Sequence, residues 1–151
     1  MNLSRNRYVL TFGIALTLIT ISACSKLCNA GYEGSRCNVL AVTKFEGNWG
    51  AVDTPGNLVY VDTISKGTAI NGIVFSTSFA GHHFNHTIIA SVLDSVITIP
   101  YQQPDADSIF VQGIGTLSTD KNHLLFNYQL IVVADTLQLK ANYTGNWTRI
   151  N

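Results

Sequence analysis

Side chains able to do chemistry are sparse in this 151-residue chain and concentrate in three places. The first is Gly81-His82-His83-Phe84-Asn85-His86. Imidazoles suit zinc or copper, so His82, His83 and His86 are candidate metal ligands. No carboxylate or cysteine stands close to them in sequence, and an exposed polar loop explains the run better. The second place is the pair Asp105 and Asp107, which flank a tight loop. Calcium needs more oxygens than these two supply, so a turn-forming pair is the better reading. The third is the cysteine set Cys24, Cys28 and Cys37. The chain has no G-x-S-x-G, no H-E-x-x-H and no phosphate-cradling glycine loop. A non-enzymatic protein without a cofactor is therefore expected.

The bulk composition narrows the setting for these groups. Charged residues make up 12% of the chain and the formal net charge is zero. A zero balance gives no basic footprint for nucleic acid. Residues 1–23 carry Arg5 and Arg7 and no acid, so without them seven basic residues face nine acidic ones. After the basic start comes VLTFGIALTLITIS, an apolar run of about fourteen residues. A membrane-spanning helix needs about 20 residues, so the run reads as the core of an export signal. Its exit, Ile21-Ser22-Ala23-Cys24, resembles the bacterial lipobox. That resemblance implies that the leader 1–23 is cut off and that Cys24 carries diacylglyceryl and amide-linked acyl groups such as palmitate. The chain would then be anchored to a membrane through lipid.

With Cys24 so used, Cys28 and Cys37 remain as an even pair in an oxidising compartment. The stretch Cys28-Asn29-Ala30-Gly31-Tyr32-Glu33-Gly34-Ser35-Arg36-Cys37 resembles the terminal C-x-x-G-Y-x-G-x-x-C loop of EGF-like modules. The resemblance implies a Cys28–Cys37 disulfide. Gly31 and Gly34 supply the positive φ of a tight hairpin. The other cysteines of such a module are absent, so the segment 24–42 is expected to be a stapled spacer rather than a receptor ligand.

Residues 43–151 are expected to form one all-β domain. Leu124, Phe126, Tyr128, Leu130 and Val132 alternate with Leu125, Asn127, Gln129 and Ile131, and the same period of two marks Leu137, Leu139, Ala141 and Tyr143. Turn-forming clusters such as Asp53-Thr54-Pro55-Gly56-Asn57 and Thr119-Asp120-Lys121-Asn122 separate about eight such segments. Closing an antiparallel meander into a barrel removes its edges, with a two-sheet sandwich as the alternative. The opening Phe45-Glu46-Gly47-Asn48-Trp49 resembles the G-x-W start of lipocalin-like (calycin) barrels, and Arg149 stands where their conserved arginine lies over the tryptophan. The whole layout is similar to small, largely uncharacterised secreted lipoproteins of bacteroidetes-type bacteria, with Val111-Gln112-Gly113-Ile114-Gly115-Thr116-Leu117 among the shared stretches. Leu124, Phe126, Tyr128, Leu130, Leu137, Leu139 and Tyr143 are expected to fill the interior, with Trp49 closing one end and bulky side chains filling any space left by Gly113 and Gly115.

Four tripeptides of Asp, a hydroxyl residue and an apolar residue resemble the O-glycosylation sequon of bacteroidetes-type exported proteins, and make Thr63, Ser95, Ser108 and Thr136 candidate acceptors. The expected function is that of an envelope interaction module, lipid-anchored to the outer membrane on its periplasmic face, with the cell surface as the alternative, and meeting an unidentified protein or glycan partner. The alternative is a carrier of a small apolar ligand. Mass spectrometry of the membrane fraction should show an acylated chain beginning at Cys24. Cys24→Ser should release the protein or stall its processing, and a soluble, unmodified native product would refute the anchor.

Overall fold

The structure is a computed structural model that describes residues 28–106, 108–134 and 137–150. The leader, Cys24, Asp107 and Thr136 lie outside the described residues. A two-stranded hairpin, β1 (Tyr32–Glu33) and β2 (Val39–Leu40), comes first. The Cys28–Cys37 disulfide closes it with Cα atoms 5.2 Å apart. Gly31 and Gly34 both sit at φ +87°, the left-handed region that glycine enters without steric cost. The hairpin leans on the barrel, since a Cβ at Gly31 would press on Ile70. Lys44 also forms an ion pair with Glu33.

The body is a closed antiparallel barrel, as expected from the period of two. Its strands are β3 (Gly47–Thr54), β4 (Leu58–Lys66), β5 (Gly72–Phe75), β6 (Ile88–Leu93), β7 (Val96–Gln102), β8 (Ile109–Leu117), β9 (His123–Ala134) and β10 (Leu137–Ile150). Each pairs with the next, and β10 returns to pair with β3. Closure removes the sheet edge where β10 and β3 pair, from Thr144 to Ile150.

Each end of the barrel is plugged. At one end a 3-10 turn, Ala41–Lys44, buries Ala41 and Val42, and Phe45 and Trp49 are fully buried behind it. The Trp49 indole donates to the Phe45 carbonyl at 2.9 Å. The Arg149 guanidinium lies 4.4 Å over the Trp49 ring and donates to the carbonyls of Glu46 and Lys44. The tryptophan–arginine closure expected from the G-x-W resemblance is thus present. At the other end the segment between β5 and β6 folds inward. Its 3-10 turn, Phe79–Gly81, drives Phe79 into the lumen against Phe75, Tyr128 and Trp147, with ring centroids 5.0, 5.1 and 5.8 Å away.

The lumen is packed with large side chains. Phe75, Phe79, Phe126 and Trp147 are fully buried and meet mostly edge to face, a favoured arrangement for aromatic quadrupoles. Gly115 pairs directly with Phe126, and a Cβ there would overlap the Phe126 ring. A Cβ at Gly113 would instead press on the Tyr128 Cβ and the Asn127 carbonyl. The Phe126 ring therefore fills the space that Gly115 leaves, and β9 itself closes on Gly113.

One part of the expected core is corrected. Leu124, Phe126, Tyr128 and Leu130 are buried, but Leu137 and Leu139 are 58% and 59% exposed and Tyr143 is only half-buried. β10 meets β3 only from Thr144 onward, while residues 137–143 pair with β9 alone. Leu137 and Leu139 keep the inward parity but run past the opposite wall and stay exposed, whereas Tyr143 is half covered by its stacking on Tyr128.

Gly115→Ala should cost about 1–3 kcal/mol, the usual cost of overpacking a filled core. In the Phe126→Leu background the same change should cost clearly less. Chemical denaturation of the four proteins checks this, and strictly additive costs would show that the ring does not depend on that glycine.

Candidate functional site

The residues singled out from sequence do not form one site. His82, His83 and His86 lie on the plug segment between β5 and β6, all exposed. The His82 ring packs against Phe84 at 5.6 Å, while His86 turns its Nδ1 to Asp105 Oδ1 at 3.2 Å. Among the described residues no three His, Cys, Asp or Glu side chains gather where they could hold a metal. Asp105 has a role that the sequence did not reveal. Its carboxylate accepts from the backbone N–H of Asn85 at 2.9 Å and of His86 at 3.1 Å. These bonds, that from Asn85 first, hold its pKa below the usual carboxylate value. Asp105 so pins the plug segment to the loop between β7 and β8.

The candidate glycan acceptors differ in access. Ser95 is exposed in the two-residue turn between β6 and β7, and Ser108 is exposed at φ +69° just before β8. Thr63 is half-buried in β4, and its hydroxyl already donates to Asn48 Oδ1 at 2.8 Å.

Two buried acids inside the wall were not foreseen as more than strand and turn residues. Asp53 is fully buried and accepts from the Tyr60 and Tyr128 hydroxyls at 2.7 and 2.5 Å and from the Trp147 indole at 3.3 Å. Burial and the Asp53 carboxyl group hold both phenols far above the ordinary tyrosine range, so they remain donors. A Cβ at Gly145 would collide with this carboxyl group and with the Trp147 ring. Asp62 is also fully buried. Its Oδ1 accepts from the N–H groups of Thr63 and Ser76 and from the Ser76 hydroxyl, whereas its Oδ2 has no partner. Burial pushes the Asp62 pKa up to about 6, against the bonds from Ser76 and Thr63.

Concave surface is found on the outer wall. A groove of about 1170 Å³ crosses β7, β8, β9 and β10 and ends at the β3–β4 turn. None of its lining residues is charged. Its floor is a row of outward-facing amides on neighbouring strands, where Gln112 pairs with Gln129 and Gln129 with Asn142. Gln112 Nε2 donates to Gln129 Oε1 at 2.8 Å, and Gln129 Nε2 donates to Asn142 Oδ1 at 2.6 Å. Beside them the Thr144 hydroxyl donates to Asn127 Oδ1 at 3.1 Å.

At the β7 side of the groove stands Tyr101, half exposed and stacked on Phe110 with ring centroids 4.8 Å apart and planes 8° from parallel. A bulge in β7 between Ile99 and Gln102 presents this ring outward. Pro100 lacks an N–H, and the Gln102 amide takes over the ladder bonds to Ile89, accepting at 3.0 Å and donating at 2.7 Å. The signal for this site lay in β8 to β10, where Gln112, Asn127, Gln129 and Asn142 place amides at outward positions that a solvated wall more often fills with charges.

Comparison with known protein families, curated proteins and solved structures finds no match for this chain.

Asp62 makes stability depend on pH. Its folded pKa lies above the ordinary 3.8, so the folded state holds the proton more tightly than the unfolded chain. This contribution is complete below about pH 4 and is lost as pH rises to about 6, a fall on the order of 3 kcal/mol. Urea unfolding from pH 4 to pH 7 should show the decline in the parent and a flatter profile in Asp62→Asn. Parallel profiles would place the proton elsewhere.

Proposed function

We propose that this chain is a non-enzymatic, lipid-anchored protein of the bacterial cell envelope whose barrel is an interaction module. In this reading residues 24–42 are a lipidated, disulfide-stapled spacer that holds the barrel off the membrane, at the periplasmic face of the outer membrane. The outer-wall groove is the surface that meets the partner. Ser95 and Ser108, both exposed in turns, are the acceptors best placed for O-glycosylation.

The observation that carries this reading is the division between lumen and wall. A small-molecule carrier needs an apolar hollow inside, and drug-sized pockets start near about 300 Å³. Here aromatic side chains occupy the lumen and both ends are plugged. The wall instead offers a groove with ordered polar groups and an exposed aromatic ring. Rigid strands position such groups better than loops do.

A photo-crosslinking side chain at Asn127, in the groove, should give discrete adducts in intact cells. The same side chain at Val59, which is 73% exposed on β4, should give none. Equal patterns at both positions, or none at Asn127, would remove the groove from the function.

A further inference from the structure

We infer that the outer-wall groove binds a neutral carbohydrate chain. This rests on the groove being the interaction surface, and it names the chemistry of the partner. The first support is charge. The lining contains no acid and no base. Phosphorylated, sulfated or uronic-acid ligands are commonly recognised through Arg or Lys, and neither lines this surface. A cationic partner would likewise need carboxylates that are absent from it.

The second support is the direction of the amide row. Gln112 donates a hydrogen to Gln129, and Gln129 donates one to Asn142. At one end Asn142 Nδ2 is left as a donor, and at the other Gln112 Oε1 is left as an acceptor. Bonds in such a chain polarise one another, which strengthens both free ends. A sugar hydroxyl both donates and accepts, so neighbouring hydroxyls of one chain can satisfy both ends. The row is also pre-ordered by its internal bonds, which lowers the entropy cost of binding.

The third support is the aromatic platform. Tyr101 is held flat by Phe110 and remains half exposed in the groove. One face of a pyranose ring is lined by C–H groups and stacks on such a ring, while its hydroxyls point sideways to polar partners. Rings and amides together span β7 to β10, three strand spacings or about 14 Å. That suits a short run of sugar units rather than a single one.

A peptide fits less well. Extended peptides bind by adding a strand to an open edge; the free edge of β10, residues 137–143, lies at one border of the groove, whereas the amide row and Tyr101 cross four strands.

The test uses the full chain purified in detergent, on an array of neutral and acidic glycans, followed by affinity electrophoresis in gels of dextran, mannan, xylan or polygalacturonate. The parent should bind at least one neutral glycan and not polygalacturonate. Retention should hardly change between about 0.05 and 0.5 M NaCl, because no ion pair is available to be screened. Asn142→Asp preserves size and the bond from Gln129 but removes the free donor. It and Tyr101→Ala should each weaken binding tenfold or more with unchanged circular dichroism, while Val59→Ala should not. Binding to no neutral glycan, preference for acidic glycans, or retention indifferent to Asn142 and Tyr101 would each overturn the inference. Cross-links at Asn127 without neutral-glycan binding would overturn the ligand and leave the groove as an interaction surface.

Discussion

The barrel depends on one buried carboxyl group. Asp53, on β3, collects donors from Tyr60 on β4, Tyr128 on β9 and Trp147 on β10. These four strands bracket the seam where β10 returns to β3 and the sheet becomes a closed surface. An acid in an apolar interior is tolerated only when hydrogen bonds replace the water it loses. Leaving a buried polar group without its partner typically costs about 1–3 kcal/mol, so the three donors and the carboxyl group specify one another's places. Tyr128 is also stacked on Tyr143, with ring centroids 5.2 Å apart. The cluster therefore reaches from the centre of the lumen to the start of the β10 overhang.

That arrangement shapes the rest of the interior. Trp147 and Tyr128 are held where their faces meet Phe79, so the inward fold of the β5–β6 segment has a fixed target. Asp105 secures the same segment from outside through the Asn85 and His86 amides. With Trp49 and Arg149 closing the opposite end, the inside is committed to stability. On the wall, side chains on adjacent strands stand at a regular spacing and need not move to be presented.

Much of the architecture was legible along the chain. Alternation of apolar and polar residues through residues 124–132, and turn residues between the other segments, led to an antiparallel meander. The Gly47-Asn48-Trp49 start and Arg149 led to the plugged end. The glycine positions of residues 28–37 led to the hairpin, and the resemblance of this stretch to an EGF-like loop led to its disulfide. The strands, turns and hairpin rest on local rules, where a residue's neighbours in sequence are also its neighbours in space, whereas the Trp49–Arg149 closure was expected from a resemblance to lipocalin-like barrels. Alternation also put Leu137 and Leu139 inside, and there it misled. Parity tells which way a side chain points but not whether another wall stands opposite.

By itself, the sequence determined the strand pattern, the turn positions, the hairpin and the features that resemble a lipoprotein leader, because these follow from spacing within a few residues. Only the tertiary structure decided that Asp53 is a buried hub, that Asp105 anchors a plug and that Phe79 fills the lumen. It alone also brought Gln112, Gln129 and Asn142 into one row beside Tyr101. The partners in these contacts lie as far as 94 residues apart in the chain, as for Asp53 and Trp147. Their meeting depends on the register of eight strands and on the closure of β10 onto β3, a condition that no local stretch of sequence contains.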